Sequence, residues 1–262
     1  MLTPTPMTAR GEELARMRDD LRRALRKPVE QRRWGMVINV KRCTGCMACV
    51  VGCQAENSAP PGVAYRRVAE VESGEYPQVM RLFMPTNCMH CDNPPCLKAA
   101  PPGAITKRPD GIVAVDYQKI KGKDVFDKVS KACPYNAFSY DDGRYFTAGT
   151  PAVQPYEKAS SYEYGRTWKR ANGAAPSGAA RKCHFCLQRL NAGMLPACVS
   201  TCDGGVTYFG DLSDPESLIA RVLRVHGSMR MQVGLKTEPR VFYLVDDNQA
   251  AESLRACLAC HK

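Results

Sequence analysis

Fourteen cysteines in 262 residues is far above ordinary usage. Such a density serves either disulfides or metal ligation. Twelve of the fourteen fall in tight groups built on C-x2-C steps, and that spacing suits metals better than structural disulfides. The first group is Cys43-x2-Cys46-x2-Cys49-x3-Cys53. The second is Cys88-x2-Cys91-x4-Cys96, with Ala100-Pro101 where a fourth cysteine and a proline would follow. A third keeps only its end, Cys133-Pro134, and the last is Cys183-x2-Cys186-x11-Cys198-x3-Cys202. The four segments resemble one another and read as an internal repeat.

The spacing has a physical cause. Three cysteines on a tight loop reach three irons of one cubane, while a fourth, after a short turn, points away and reaches a second cubane. Two such motifs therefore interlock. The buried sulfides need hydrogen-bond donors, which the loop backbone N–H groups supply.

With these motifs the chain resembles the four-cluster iron–sulfur subunits of the molybdopterin oxidoreductases, the polysulfide, thiosulfate, tetrathionate and dimethyl-sulfoxide reductase group. The resemblance rests on Lys41-Arg42-Cys43-Thr44-Gly45-Cys46 and on Asn87-Cys88-Met89-His90-Cys91-Asp92-Asn93-Pro94-Pro95-Cys96. It continues through Ala132-Cys133-Pro134-Tyr135, Arg181-Lys182-Cys183-His184-Phe185-Cys186 and Pro196-Ala197-Cys198-Val199. It closes on Glu238-Pro239-Arg240-Val241-Phe242-Tyr243, so that residues 34–245 are covered. The resemblance implies three ligand sets. One cluster takes Cys43, Cys46, Cys49 and Cys202; a second takes Cys53, Cys183, Cys186 and Cys198; a third takes Cys88, Cys91, Cys96 and Cys133.

A fourth cluster of the family has no ligands here. Its C-x-G-C is replaced by Ile120-Lys121-Gly122-Lys123, and its remaining position is Ala100. The pattern reads as loss of one whole cluster, with Lys123 either placing its charge near the vacated site or lying solvated at the surface. In the family the lost cluster is the one nearest a membrane subunit that exchanges electrons with quinone. A shortened wire must end near another acceptor, or serve chemistry that needs no exit, as in the pyrogallol–phloroglucinol transhydroxylase.

The remaining two cysteines stand in Cys257-Leu-Ala-Cys260-His261, the attachment signature of a c-type haem. The two thiols would add to the vinyl groups and His261 would ligate the iron. A zinc site or free thiols are the alternatives. His226, Met229 and Met231 are candidates for a sixth haem ligand.

The elements that must position these groups are short. Residues 1–33 form an N-terminal arm, with a helix expected over 8–27, capped by Thr8 and ended by Pro28. Its stripe Leu14, Met17, Leu21 and Leu25 packs on the chain's own body or on a partner. Residues 34–138 form a ferredoxin-like cluster-binding unit, with strands expected at Met36–Val40 and Ile112–Val115. Residues 139–180 hold no cysteine and read as a loop insertion, in which Trp168 and the tyrosines of 156–164 pack locally or face a partner. Residues 181–245 carry the second cluster-binding motif and close with a helix over Ser213–Val225, capped by a Ser213/Glu216 box, and a strand over Arg240–Val245. Residues 246–262 form a tail. The expected class is α+β, ferredoxin-like, with two interlocked bacterial-type 4Fe–4S units.

The formal charge is +11. Twelve ligating thiolates around three clusters of core charge 2+ bring it to about +5, so much of the basic excess offsets the clusters. No basic-aromatic motif points to nucleic acid. No run of 18 apolar residues is present to span a membrane, and no apolar signal core stands at the N-terminus. Export would then depend on a partner's signal. The complex is expected at a membrane, periplasmic if the haem is real and cytoplasmic otherwise. His90 and His184 sit inside cysteine loops, where they tune a cluster by hydrogen bonding or simply fill the loop. No phosphate loop, Ser–His–Asp set or paired catalytic carboxylates stand out, so no catalytic residue is assigned. The expected role is electron transfer beside a molybdenum or tungsten pterin subunit, with a membrane anchor or cytochrome c as further partner. The rivals are a free-standing polyferredoxin and a purely structural use of clusters.

Overall fold

The computed structural model describes residues 10–169 and 174–244. In chain order its elements are α1 (Arg10–Leu25), β1 (Trp34–Asn39), α2 (Ala48–Glu56), β2 (Arg66–Ser73), β3 (Met80–Asn87), α3 (Pro95–Ala99), β4 (Ile105–Lys107) and β5 (Val113–Val115). There follow α4 (Lys123–Ala132), β6 (Ser139–Tyr140), β7 (Ser161–Glu163), β8 (Arg166–Trp168), β9 (Ala180–Arg181), α5 (Leu187–Asn191) and α6 (Ala197–Ser200). The described chain closes with β10 (Thr207–Asp211), α7 (Leu218–Val225), β11 (Ser228–Met229) and β12 (Val241–Leu244). This mixed architecture is of the ferredoxin-like class expected from the cysteine repeat.

The central sheet has the order β10-β1-β12-β11. β1 runs antiparallel to β10 and parallel to β12, and it is apolar on both faces because both are covered. α1 and α7 pack on β10. The α1 stripe belongs to the main core: Met17 and Leu21 are fully buried, and Leu14 and Leu25 pack against them. It therefore packs on the chain's own body. A second core gathers Ile105, Val113, Val115, Tyr117, Ile120, Val129 and Phe138 around the β4–β5 hairpin and α4.

The C-terminal helix differs from its expected form. Helical structure starts at Leu218, and its cap is Ser217, whose Oγ accepts from the Ala220 N–H. Ser213 instead donates its hydroxyl to Asp211 and to the Gln31 carbonyl, and Glu216 pairs with Arg221. The cause is two aspartate turns: Asp211 accepts from the Ser213 N–H and Asp214 from the Glu216 N–H, which holds the chain out of the helix up to Pro215. Thr8, the other expected cap, lies outside the described residues.

The segment expected to be a loop contains the β7–β8 hairpin, and its ends are joined where β6 pairs with β9. The hairpin delivers Glu163 into the interior, where it meets Arg181 at 2.6 Å, and both are fully buried. Arg181 also pairs with Asp141 at 2.8 Å and donates to Tyr65 at 2.7 Å. Tyr65 and Tyr117 donate their hydroxyls to Glu163. Trp168 and Tyr164 stack edge-on against Tyr117, whereas Tyr156 and Tyr162 are exposed.

Burial by itself would raise the Glu163 carboxyl, but Arg181, His184 and the Tyr117 hydroxyl outweigh it and hold it at about 2. A depressed carboxylate gives its stability in full above its ordinary value of 4.5 and loses it as pH falls toward 2. The contribution is on the order of 3 kcal/mol. Glu163→Gln leaves the Arg181 charge short of one buried partner and is expected to lower the unfolding free energy by about 3 kcal/mol, read from the urea midpoint at neutral pH. A change under about 1 kcal/mol would show that the network does not anchor the insertion.

Candidate cluster sites

β1 runs directly into the turn that carries Cys43 and Cys46, and β10 begins just after Cys202. The pairing Ile38↔Thr207 and the bond from Asn39 N–H to the Val206 carbonyl at 2.8 Å bring the two cysteine segments side by side. α2 carries Cys49 and Cys53 four residues apart, so one lies above the other on the same helix face. Cys198 and Cys202 repeat that spacing through α6, and α2 packs against α6. The close approach needs Gly52, since a Cβ there would stand 2.8 Å from the Thr201 side chain.

The result is a crossing. Cys43, Cys46, Cys49 and Cys202 line one pocket, while Cys53, Cys183, Cys186 and Cys198 line the next. Burial first, and then the neighbouring Cys88, raise the thiols of Cys91, Cys96 and Cys133, which marks these four as a third group. All twelve are free thiols, so no disulfide competes for them. Among the described residues no three Cys, His, Asp or Glu side chains converge on a point, as a single metal ion requires. The sulfurs of the first two groups instead surround volumes.

The thiols are pushed away from ionisation by their surroundings. Burial, and then Cys186, Cys198 and Cys183, raise Cys53 far above the ordinary thiol value. Burial, followed by neighbouring thiols, brings Cys91, Cys96 and Cys183 up to about 12. A group that fits must supply enough positive charge to hold four thiolates in such a place. Donors are ready for the sulfurs: the Phe185 N–H points at Cys183 Sγ (3.4 Å), the Val206 N–H at Cys202 Sγ (3.3 Å) and Asn57 Nδ2 at Cys53 Sγ (3.6 Å). The loops gain this geometry from left-handed residues, among them Met47, His90, Phe185, Cys186 and Gly45. Gly45, at φ 71°, has no space for a Cβ, which would stand 2.6 Å from the Phe83 ring. The residues present fit an iron–sulfur cluster.

The loop of the second motif is held from behind. Its Met89 carbonyl accepts from the Arg240 N–H, and its Asp92 and Asn93 N–H groups donate to the Glu238 and Thr237 carbonyls. Lys107 donates to the Cys91 and His90 carbonyls at 2.7 and 3.1 Å. This backing explains why the stretch Glu238–Tyr243 belongs to the sequence pattern.

Both loop histidines are buried. His90 Nδ1 accepts from the Val113 N–H at 3.1 Å, and its ring lies 3.7 Å from that of Phe185. Burial, followed by Lys182 and Lys107, lowers its pKa well below the usual range, so the ring is neutral. His184 Nδ1 accepts from the Leu187 N–H, which leaves its proton on Nε2, 3.5 Å from Glu163. Lys123 pairs with Asp127 at the surface and lies 4.9 Å above the Phe126 ring, so its charge is solvated. Cys257, Cys260 and His261 lie outside the described residues. Of the sixth-ligand candidates, Met231 is buried in the main core and His226 is exposed.

Sequence reasoning overlooked Arg66, Lys182, Arg181 and Glu163. Arg181 and Lys182 stood in a recognised motif, yet nothing in their spacing announced complete burial. Arg66 is the first residue of β2, and Glu163 lies in a segment of loop composition.

Comparison with known proteins places the chain. A family model described as a 4Fe-4S dicluster domain matches residues 79–149 and 164–212. The B subunits of two reductases are among its relatives. That of the selenate reductase of Mesobacillus selenatarsenatis is 48% identical over 93% of this chain and 82% of its own. That of the tetrathionate reductase of Salmonella typhimurium is 35% identical over 82% of this chain and 74% of its own. The arsenate respiratory reductase iron–sulfur subunit of Shewanella sp. is 31% identical over 81% of this chain and 96% of its own. No described helix is long and apolar enough to cross a membrane. With its cysteine repeat and these relatives, the chain belongs to the iron–sulfur B subunits of the molybdopterin reductases, which transfer electrons and leave catalysis to another subunit.

Proposed function

We propose that this chain relays single electrons through three 4Fe–4S clusters between a molybdopterin catalytic subunit and a terminal acceptor or donor. The reading is carried by the way the described cysteines gather in three groups of four. On this reading the clusters are held by Cys43, Cys46, Cys49 and Cys202, by Cys53, Cys183, Cys186 and Cys198, and by Cys88, Cys91, Cys96 and Cys133. Residues 34–138 and 181–245 then form two interlocked units, with 139–180 inserted between them. Each bound cluster supplies a site that takes up and releases one electron. The chain's own residues exclude water, donate hydrogen bonds to sulfur and set the local charge. The similarity to the iron–sulfur component of a selenate reductase favours a catalytic partner that reduces an oxyanion.

The absence of a fourth cluster is supported by packing. Ile120 is fully buried, and Ala100 packs against the same core of Val113, Val129 and Phe138. Two of the positions left without a ligand thus belong to an apolar core. A diffusing polyferredoxin is the weaker reading because the relatives named above are subunits; the α1 stripe, buried on its own body, bears on neither. The tail motif Cys257-x2-Cys260-His261 is read as a covalent c-type haem that takes the place of the lost terminal cluster.

Iron analysis of the purified chain is expected to give about twelve non-haem iron atoms per polypeptide. A value near sixteen would contradict the loss of a cluster, and one near eight would remove one of the three groups. Denaturing electrophoresis followed by a haem stain is expected to mark this polypeptide, and Cys257→Ser with Cys260→Ser to abolish the mark. An unstained wild-type band would exclude the haem and favour a cytoplasmic, haem-free complex.

A further inference from the structure

We propose that each of the two joints in the electron wire is filled by a buried cation, Arg66 between the first and second clusters and Lys182 between the second and third, and that these charges set the potentials of the clusters on either side. The inference rests on the three-cluster reading given above.

Arg66 opens β2 and is 2% exposed. It lines both pockets, the one formed by Cys43, Cys46, Cys49 and Cys202 and the one formed by Cys53, Cys183, Cys186 and Cys198. Nη1 donates to Asn87 Oδ1 at 2.6 Å, and Nη2 to Thr207 Oγ1 at 2.9 Å. Nε finds no hydrogen-bond partner among the described residues. No described carboxylate pairs with this charge. The sulfur residues that line the pockets with it include Cys49 and Cys198, one from each group. An arginine is protonated at any working pH, so the charge is permanent.

Lys182 repeats the arrangement at the other joint. It is fully buried, and Nζ donates to the Val113 carbonyl and, at 3.0 Å, to the Cys183 carbonyl. Again no described carboxylate pairs with it. Its chain neighbour is Cys183 of the second group, and Val113, whose carbonyl it holds, donates its N–H to His90, which stands between Cys88 and Cys91 of the third. Burying a charge without a counter-ion is costly, which makes two such residues hard to explain as packing alone. Thiolate-ligated clusters would supply the missing negative charge at both places.

The consequence is electrostatic. A cubane of core charge 2+ with four thiolates is a dianion, and reduction adds a further negative charge. Two such groups side by side in a low-dielectric interior repel each other, so reducing one disfavours reducing the next. A cation between them raises both potentials and weakens that repulsion. Adjacent clusters can then hold electrons at the same time, which suits delivery to a catalytic centre that reduces its substrate in two-electron steps.

The test is a redox titration of the purified complex, followed by electron paramagnetic resonance, with Arg66→Met and Lys182→Met compared with wild type. Each substitution is expected to lower two of the three midpoints by about 59 mV or more, tenfold in the one-electron equilibrium, and to spare the third. One cluster, the middle one, should respond to both substitutions, and each outer cluster to one only. Arg66→Lys and Lys182→Arg should restore wild-type values. Unshifted midpoints at full iron content, or equal shifts in all three clusters, would overturn the proposal. Should Arg66→Met lose iron, Arg66→Gln keeps hydrogen-bonding capacity without the charge; iron loss there too would make Arg66 a structural bolt and overturn its assigned role. A wild-type complex without three reducible clusters would overturn the cluster reading and this inference with it.

Discussion

Sulfur gathered this densely and buried this deeply requires compensating positive charge. Burial alone pushes thiols such as Cys53 and Cys186 far from ionisation, and their neighbours push them further. Iron reverses the balance, because a thiolate bound to a multinuclear cation is no longer an isolated buried anion. The rest of the chain follows from the need to keep such quartets dry, correctly spaced and supplied with donors. β1 and β10 set the first crossing, α2 and α6 place pairs of cysteines on two levels, and Gly52 lets those helices approach. The stretch Glu238–Arg240 holds the loop of the third quartet from behind.

The same constraint explains where the cations are. Buried arginines and lysines are rare in proteins unless paired. Here Arg181 is paired with carboxylates, and it ties the insertion to the wall of the second pocket. Arg66 and Lys182 have no described carboxylate and lie among the cysteine groups instead. Two classes of buried charge thus coexist, one that fastens the fold and one whose natural counter-charge is the clusters.

Much of this was legible in the sequence, because ligand spacing is a covalent fact that folding cannot alter. The twelve cysteines, the repeat and the family could be read from the motifs at Cys43, Cys88 and Cys183. The apolar stripe of α1 was also plain, although its period could not say whether the chain or a partner covers it. Other features depended on tertiary placement. Ser213 and Glu216 satisfy a capping pattern, yet Asp211 and Asp214 compete for the same donors and shift the helix start to Leu218. Glu163 sits in a segment whose Gly, Ser and Tyr content signals a loop, and only the hairpin turns its carboxylate inward. Arg66 looks like any charged residue at a strand entrance until burial removes it from water.

The central claim is that three cubanes occupy three crossed quartets and that a fourth site has been closed by apolar packing. Diffraction at the iron absorption edge would test it most directly. The account predicts three compact groups of anomalous density, each enclosed by one set of four cysteines, with none beside Ala100 and Ile120. Iron density at that fourth position, or a quartet bridged by disulfide and empty of iron, would contradict it.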